Sequence, residues 1–166
     1  MNGEVLTFED WYRDQHSSVL AAVAMFCVGE HARAEDAAND AFVEAYEKWD
    51  SVGQMNSPTG WVVRVAINKA KRSYRRRKRR IELLNTQRLE ASSVDELRDL
   101  DLLENLAKLP ERQRAALVLR YIEDLPQADV AMQMDIAVGT ASATLNQARG
   151  KLRSELGERN GHEHSR

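Results

Sequence analysis

Apolar residues recur at the spacing of an α-helix in every hydrophobic segment of this chain. In the first segment they are Phe8, Trp11, Tyr12, Val19, Ala22, Val23 and Phe26, and helical spacing is found in later segments as far as Leu152. No segment shows the strict alternation that indicates a half-buried β-strand. The sequence therefore predicts an all-α protein, and its 43% of hydrophobic residues is enough to form packed cores.

Local signals divide the first half of the chain into three predicted helices. The first runs over residues 7–28 and the second over 33–49, with Thr7 as the cap of the first. Residues 50–56 contain Ser, Gly, Gln and Asn with little periodicity and are predicted to form a loop. Ser57 followed by Pro58 is typical of a helix start, so a third helix is expected from there onward.

Weak periodicity over residues 84–93 predicts a linker between two small domains. Four helices are predicted beyond it, over residues 94–107, 112–122, 127–134 and 139–156. The last two have the lengths and the short connecting turn of a helix-turn-helix, whose second helix enters the major groove of DNA. In that helix the residues predicted to face inward are Ala143, Leu145, Ala148 and Leu152. The predicted domains are 1–83 and 94–158, followed by a tail over 159–166.

Charge is strongly segregated along the chain. Residues 1–50 carry a net charge of −8, residues 51–80 carry +10 and residues 81–166 carry −4, within a total of −2. Ten of the seventeen residues over 64–80 are Lys or Arg, and Tyr74 lies among them as a candidate stacking surface for an unpaired base. So many like charges on one helix favour a polyanionic partner, of which nucleic acid is the obvious candidate.

The remaining residue types give no support to catalysis or cofactor binding. The chain has one cysteine, Cys27, in an apolar run that predicts a buried thiol. It offers no catalytic triad, no metal-ligand cluster and no glycine-rich phosphate loop, and His162 and His164 are predicted to be solvated in the tail. Neither a secretory signal nor an apolar run long enough to cross a bilayer is present. We therefore expect a cytoplasmic protein that is not an enzyme and needs no cofactor.

Motifs in both predicted domains resemble those of the extracytoplasmic-function sigma factors of bacterial RNA polymerase. AEDAANDAF over residues 34–42 resembles the AED..Q..F signature of region 2, and WVVRVAIN from Trp61 resembles WL..IA.N. The region 4 pattern is LP...R, then a helix with a small residue, then I..GT.......AR..L. The matching residues are Leu109, Pro110, Arg114, Ala131, Ile136, Gly139, Thr140, Ala148, Arg149 and Leu152. The motifs follow the family's order and the resemblance covers about residues 8–156.

The resemblance implies a sigma subunit that binds core RNA polymerase, recognises two promoter elements and helps to melt the DNA. Region 2 would contact the element nearer the start site, and region 4 the more distant one. The implied partners are core polymerase, promoter DNA as duplex and as melted strand, and an anti-sigma protein. No membrane insertion is expected.

Three sets of residues are predicted to carry these functions. The acidic second helix is expected to dock on polymerase through Glu35, Asp36, Asp40 and Phe42. Region 2 is expected to contact DNA through Asn68, Lys69, Lys71, Arg72, Arg75 and Arg76. Region 4 is expected to contact DNA through Thr140, Ser142, Thr144, Gln147, Arg149 and Lys151. The loop over residues 50–60, flanked by Trp49 and Trp61, is a candidate pocket for an unstacked base.

The sequence departs from the family pattern at positions that bear on these roles. Arg72 stands where the family often has an acidic or amide residue, and Asp135 occupies a turn where glycine is commonest. Ser142, Thr144 and Gln147 take places in the recognition helix that Lys or Arg often hold. These neutral residues predict that the distal element is read loosely.

Two other classes of protein fit parts of this pattern. One is a helix-turn-helix regulator that binds duplex promoter DNA by itself, with the N-terminal half as a dimerisation or sensing module. The other is a helical adaptor that binds only protein. Adding the chain to core polymerase and testing for transcription separates a sigma factor from both.

Overall fold

The computed structural model describes residues 6–84 and 100–162, and its secondary-structure elements in these ranges are all helices. They fall into two compact units, one before and one after the gap. The first contains α1 (Phe8–Phe26), α2 (His31–Glu47), α3 (Trp49–Val52) and α4 (Pro58–Leu84). The second contains α5 (Leu100–Lys108), α6 (Glu111–Leu117), α7 (Gln127–Met134) and α8 (Val138–His162). The predicted all-α class is confirmed, whereas most of the predicted linker lies outside the described residues.

In the first unit, α1, α2 and α4 pack around one core. The inner face of α2 is built from small residues, among them Ala34, Ala38 and Ala41, which are at most 1% exposed. Small side chains let two helices approach closely, and α2 packs mainly against α4, whose buried residues include Val62 and Ile67. This packing holds the acidic helix and the basic helix side by side.

Side-chain caps fix where two of these helices begin. The Oγ1 atom of Thr7 accepts a hydrogen bond from the backbone N of Asp10 at 3.2 Å, and the Oγ atom of Ser57 accepts one from the N of Gly60 at 3.0 Å. Both predicted starts are confirmed, because each cap satisfies a backbone donor that the first helical turn leaves unpaired. The first helix ends at Phe26, two residues earlier than predicted.

The segment between α2 and α4 differs from the prediction. The helix α2 begins at His31 and ends at Glu47, and the predicted loop over 50–56 starts inside a further helical turn, α3. The carbonyl of Lys48 accepts from the N of Ser51 at 3.0 Å and of Val52 at 2.9 Å, which closes this turn. A Cβ at Gly53 would lie 2.9 Å from the Trp49 ring, so glycine is what lets the chain pass the indole.

In the second unit, α6 and α7 pack against α8. The predicted helix-turn-helix is formed by α7, the turn after it and α8. The bounds of α7 are those predicted, and the turn after it carries Asp135 in the left-handed conformation, with φ of 53°. The prediction that Ala143 faces inward is wrong: it is exposed, and Ala141 is buried instead. The helix α8 continues to His162, so the predicted tail is helical at its start.

The predicted helix over 112–122 changes character along its length. It is α-helical over α6 and then π-helical over Val118–Ile122. The N of Glu123 donates to the carbonyl of Val118, five residues earlier, at 3.1 Å. This wider turn places Tyr121 half-exposed beside α8, where it bonds to Arg149.

Candidate nucleic-acid interfaces

The outer face of α2 is acidic, as predicted, but its apolar component is different. Glu35, Asp36 and Asp40 are exposed. Phe42 is only 4% exposed and packs among the rings of Tyr12 and His16, with centroids 4.8 and 5.4 Å away. Phe42 therefore cannot touch a partner directly. Its position on the inner stripe of α2, beside the core alanines, is the reason.

Val43 and Tyr46, which were not predicted as contacts, are the large apolar residues exposed on α2, at 59% and 60% exposure. Val43 follows Asp36 by seven residues and Asp40 by three, so all three lie along one line of the helix. That spacing was a usable signal in the sequence. The result is a strip along α2 in which the two carboxylates come first and Val43 follows them, nearer the C-terminal end of the helix.

Glu44, the next residue on α2, ties the acidic helix to the basic one. One carboxylate oxygen lies 2.8 Å from Lys48 Nζ and the other 3.1 Å from Lys69 Nζ on α4. The hydrogen bond from Lys48, with that from Lys69, holds the pKa of Glu44 below its ordinary value despite some burial. Lys69 is therefore largely engaged within the unit, which reduces its part in binding an external phosphate.

The remaining predicted DNA contacts of α4 divide by burial. Asn68 and Lys71 are partly buried, and Lys71 Nζ lies 5.9 Å from the centre of the Phe26 ring. Arg72, Arg75 and Arg76 are exposed. The arginines that border one open groove on the surface of this helix are Arg72, Arg75, Arg76, Arg79 and Arg80. The exposed positive charge thus begins at residue 72 and continues further along the helix than the predicted set.

Tyr74, proposed as a stacking surface, and Trp49, which flanks the candidate base pocket, already have partners within the first unit. The guanidinium of Arg33 lies 5.0 Å from the centre of the Tyr74 ring and covers one of its faces. Trp49 donates from Nε1 to the carbonyl of Leu6 at 3.1 Å and packs against Trp11 with ring centroids 5.0 Å apart. Both rings therefore serve mainly to join helices of the first unit.

A second groove, of about 510 Å³, lies between α2 and α4. Asp36 and Asp40 border it on the α2 side, and Arg72 and Arg76 on the α4 side. The two predicted sites of the first unit therefore meet along one groove. A partner on the acidic strip and DNA on the arginines would lie next to each other.

In the second unit, burial separates the predicted contacts of α8. Thr144 is only 8% exposed, and its Oγ1 donates to the carbonyl of Thr140 at 2.8 Å. It cannot reach a base, because it shares the inner face of α8 with Ala141 and Ala148. Ser142 is partly buried, and the exposed members of the predicted set are Thr140, Gln147, Arg149 and Lys151.

The outer face of α8, opposite its buried residues, is formed by Gly139, Ala143, Asn146 and Gly150, all exposed. A series of hydrogen bonds links this face to Tyr121, in the π-helical turn that follows α6. Arg149 donates from Nη1 to the hydroxyl of Tyr121 at 2.6 Å and from Nη2 to Oδ1 of Asn146. Asn146 and Tyr121 are absent from the predicted site, although position 146 lies on the same helical face as 143 and 150.

A helix-turn-helix unit together with a unit that carries an arginine-rich helix defines a helical DNA-binding protein. Residues 13–80 match the family model described as Sigma-70 region 2, and residues 99–152 match that described as Sigma-70, region 4. The chain belongs to the extracytoplasmic-function sigma factors of bacterial RNA polymerase. Matches to both regions in one chain disfavour a stand-alone helix-turn-helix regulator.

Three relatives match most or nearly all of this chain in sequence. The RNA polymerase sigma-E factor of Streptomyces avermitilis is 31% identical over 163 residues, covering 95% of this chain and 89% of the relative. That of Streptomyces coelicolor is 29% identical over 159 residues, covering 93% and 88%. The ECF RNA polymerase sigma factor SigW of Bacillus subtilis is 28% identical and covers 78% of each chain.

Solved structures show the same fold. The sigma factor RpoE of Bartonella quintana, crystallised with the anti-sigma factor NepR, has a TM-score of 0.70 at 22% identity and covers 89% of this chain and 97% of its own. CnrH, in complex with the cytosolic domain of CnrY, has a TM-score of 0.62 at 23% identity, with coverage of 91% and 88%. Within the described ranges, no helix is long and apolar enough to span a membrane.

Proposed function

We propose that this sigma factor divides its work among three helices: α2 binds core RNA polymerase, α4 binds the proximal promoter element and the melted strand, and α8 binds the distal element. The observation that carries the proposal is the segregation of exposed charge in the first unit. Acidic residues line the outer face of α2, and arginines line the exposed C-terminal half of α4. Polymerase and DNA therefore have separate, adjacent surfaces.

The polymerase contact is assigned to Asp36, Asp40 and Val43. These residues are exposed along one line of α2, where the two carboxylates complement a basic partner and the valine supplies apolar area at the C-terminal end of the strip. Phe42 supports this surface from below by packing against α1. Glu44 is less suited to the contact, because its carboxylate is already paired with two lysines.

Charge reversal tests this contact. Asp36→Lys with Asp40→Lys should weaken binding to core polymerase at least roughly tenfold, because it places two cations against a basic surface. The matched control is Asp14→Lys with Asp50→Lys, which reverses two exposed carboxylates elsewhere in the same unit. The measurement is a titration of labelled sigma factor against core enzyme, with helical content checked by circular dichroism. Equal affinities for both double variants would refute the assignment.

The DNA contact of the first unit is assigned to Arg72, Arg75 and Arg76. Guanidinium groups bind phosphate through paired donors, and these three are exposed on the arginine-lined side of α4. Between α3 and α4, Gln54, Met55 and Asn56 are exposed in the loop proposed to receive an unstacked base. The two amides can bond to a base edge, while the arginines bind the backbone of the same strand.

We further infer that this chain has an anti-sigma protein as a partner. We also infer that the chain itself acts in the cytoplasm, by binding and without a catalytic step. The support for the partner is that RpoE and CnrH, which share its fold, are described in complex with the anti-sigma factor NepR and with CnrY. The support for action by binding is that the candidate contacts are charged and amide groups suited to docking.

One reconstitution tests the whole proposal. Purified chain and core polymerase are combined with a library of promoters, and transcripts are counted. Initiation that depends on the chain supports a sigma factor. A shift of duplex DNA by the chain alone, with no initiation, would instead support a helix-turn-helix regulator.

A further inference from the structure

The DNA-facing surface of α8 holds one polar side chain at its centre. Gly139, Ala143, Asn146 and Gly150 lie opposite the buried residues of the helix, and among these four only Asn146 carries hydrogen-bonding groups on its side chain. Gln147 lies to one side. A helix that enters the major groove presents the middle of its exposed face to the base edges.

The small neighbours of Asn146 compensate for its short side chain. A Cβ added at Gly150 or Gly139 would meet no atom within 4 Å, so space beside Asn146 is open along the helix. Ala143 adds a single methyl group. With so little bulk on this face, the backbone of α8 can approach the floor of the groove closely, and a residue as short as asparagine can reach a base.

Asn146 is also held in place. Its Oδ1 accepts from Nη2 of Arg149, and Nη1 of the same guanidinium donates to the Tyr121 hydroxyl at 2.6 Å. The Tyr121 ring lies in the π-helical turn, with the guanidinium of Arg120 5.5 Å from its centre. An exposed side chain normally loses rotational freedom when it binds, and one that is already bonded in position loses less.

We propose that Asn146 reads an adenine in the distal promoter element, and that Tyr121 is a positioning residue that orients Asn146 through Arg149. With Oδ1 bonded to Arg149, the Nδ2 donors of the amide are directed away from the guanidinium. Oδ1 keeps a second lone pair. These groups match the N7 acceptor and N6 donor of adenine. This inference rests on the proposed role of α8.

The test is a saturation scan of the distal element, using holoenzyme made from the full-length chain. For the wild type, one position should prefer A·T. Asn146→Ala should reduce the preference at that position by roughly 5- to 150-fold and leave the others unchanged, since a good bidentate contact discriminates by that much. Ser154→Ala, an exposed substitution further along α8, is the control and should leave the profile intact.

The positioning role has its own readout. Tyr121→Phe keeps the ring but removes the hydroxyl, so it should reduce the preference at the same single position. The slope of log affinity against log salt should stay the same, because Arg149 keeps its charge. Arg149→Lys should behave similarly, since lysine retains the cation but lacks the two-pronged geometry.

Other outcomes overturn the inference. If Tyr121→Phe reduces the base preference at all positions equally, Tyr121 has only a structural role. If Asn146→Ala leaves the base preferences unchanged, Asn146 does not read a base. Both results leave the proposed function intact. Failure of the wild-type holoenzyme to initiate on any library member would instead refute the proposed function, and initiation with no distal preference would refute the role of α8.

Discussion

At the scale of single residues, the side of a helix on which a side chain lies decides whether it can reach DNA. Thr144 is predicted to contact DNA, although it follows the buried Ala141 by three residues and precedes the buried Ala148 by four. The inner face of α8 could have been assigned from that spacing. The inward placement of Ala143 is a similar error, because position 143 is two residues from the buried Ala141 and Leu145 and so lies on the opposite side of the helix.

Glu123 is a residue whose behaviour the sequence did not predict. It follows the π-helical turn, where burial raises the pKa of its carboxyl to about 7. Among the described residues no donor bonds to its buried Oε1. A carboxyl in this setting is more easily protonated in the folded unit than in the unfolded chain.

The pH dependence of stability follows from that difference. Between the ordinary value of 4.5 and about 7, the folded state binds more protons than the unfolded state. The free energy of unfolding should therefore fall as pH rises across this window, by roughly 1–2 kcal/mol once partial exposure of the carboxyl is allowed for. Glu123→Gln should flatten this dependence and stabilise the chain at about pH 8, where the wild-type carboxyl is charged. The measurement is the free energy of unfolding of both proteins, from urea titrations at pH values on the acidic and the alkaline side of this window. If that free energy changes equally with pH in the two proteins, Glu123 is not the group responsible.

At the scale of elements, long periodic helices were predictable and short irregular turns were not. The bounds of α7 and the caps of α1 and α4 follow from local signals in the sequence. The π-helical turn depends on a bond to the fifth residue back, which has no counterpart in hydrophobic spacing. The turn α3 has only four residues, too few to show helical periodicity, and the glycine that passes the Trp49 ring is itself a loop signal.

Gly53→Ala tests whether that close approach holds α3 in place. The new Cβ would lie 2.9 Å from the Trp49 ring and 3.0 Å from its carbonyl oxygen. Overpacking of this kind costs about 1–3 kcal/mol, so unfolding should occur at lower urea concentration and Trp49 fluorescence should change. If stability is unaltered, the indole has room to move and the glycine is not required there.

Gly150→Ala should have opposite effects on stability and on DNA binding. The added Cβ meets nothing within 4 Å in the chain, and alanine is favoured over glycine inside a helix by about 1 kcal/mol. The free energy of unfolding should rise by that amount. Affinity for the distal element should fall, because the methyl group occupies the space through which α8 approaches the base edges. A stabilised variant with undiminished promoter affinity would show that this face does not touch DNA.

At the scale of the whole molecule, the segregation of charge in the sequence predicted separate acidic and basic surfaces in the first unit. Which cations remain available for DNA could not be decided from the sequence. Lys69 is paired with Glu44, and Arg33 covers Tyr74. These pairings cross between α2 and α4, so they depend on packing that hydrophobic spacing does not specify. The arginines beyond residue 71 form the exposed positive surface.

The salt dependence of promoter binding measures how many of those arginines bind phosphate. Removing one phosphate-binding cation should reduce the slope of log affinity against log salt by roughly 0.7 to 0.9. Arg75→Ala, Arg76→Ala and Arg77→Ala together should flatten the slope by up to about two to three units, since all three side chains are exposed on α4. The control is Arg13→Ala with Arg112→Ala, two exposed arginines on other helices, for which the wild-type slope is expected. The measurement is holoenzyme binding to one promoter over a series of salt concentrations. A wild-type slope for the triple variant would show that these arginines are solvated and do not touch DNA, and the positive surface of α4 would then have to act through Arg72, Arg79 and Arg80.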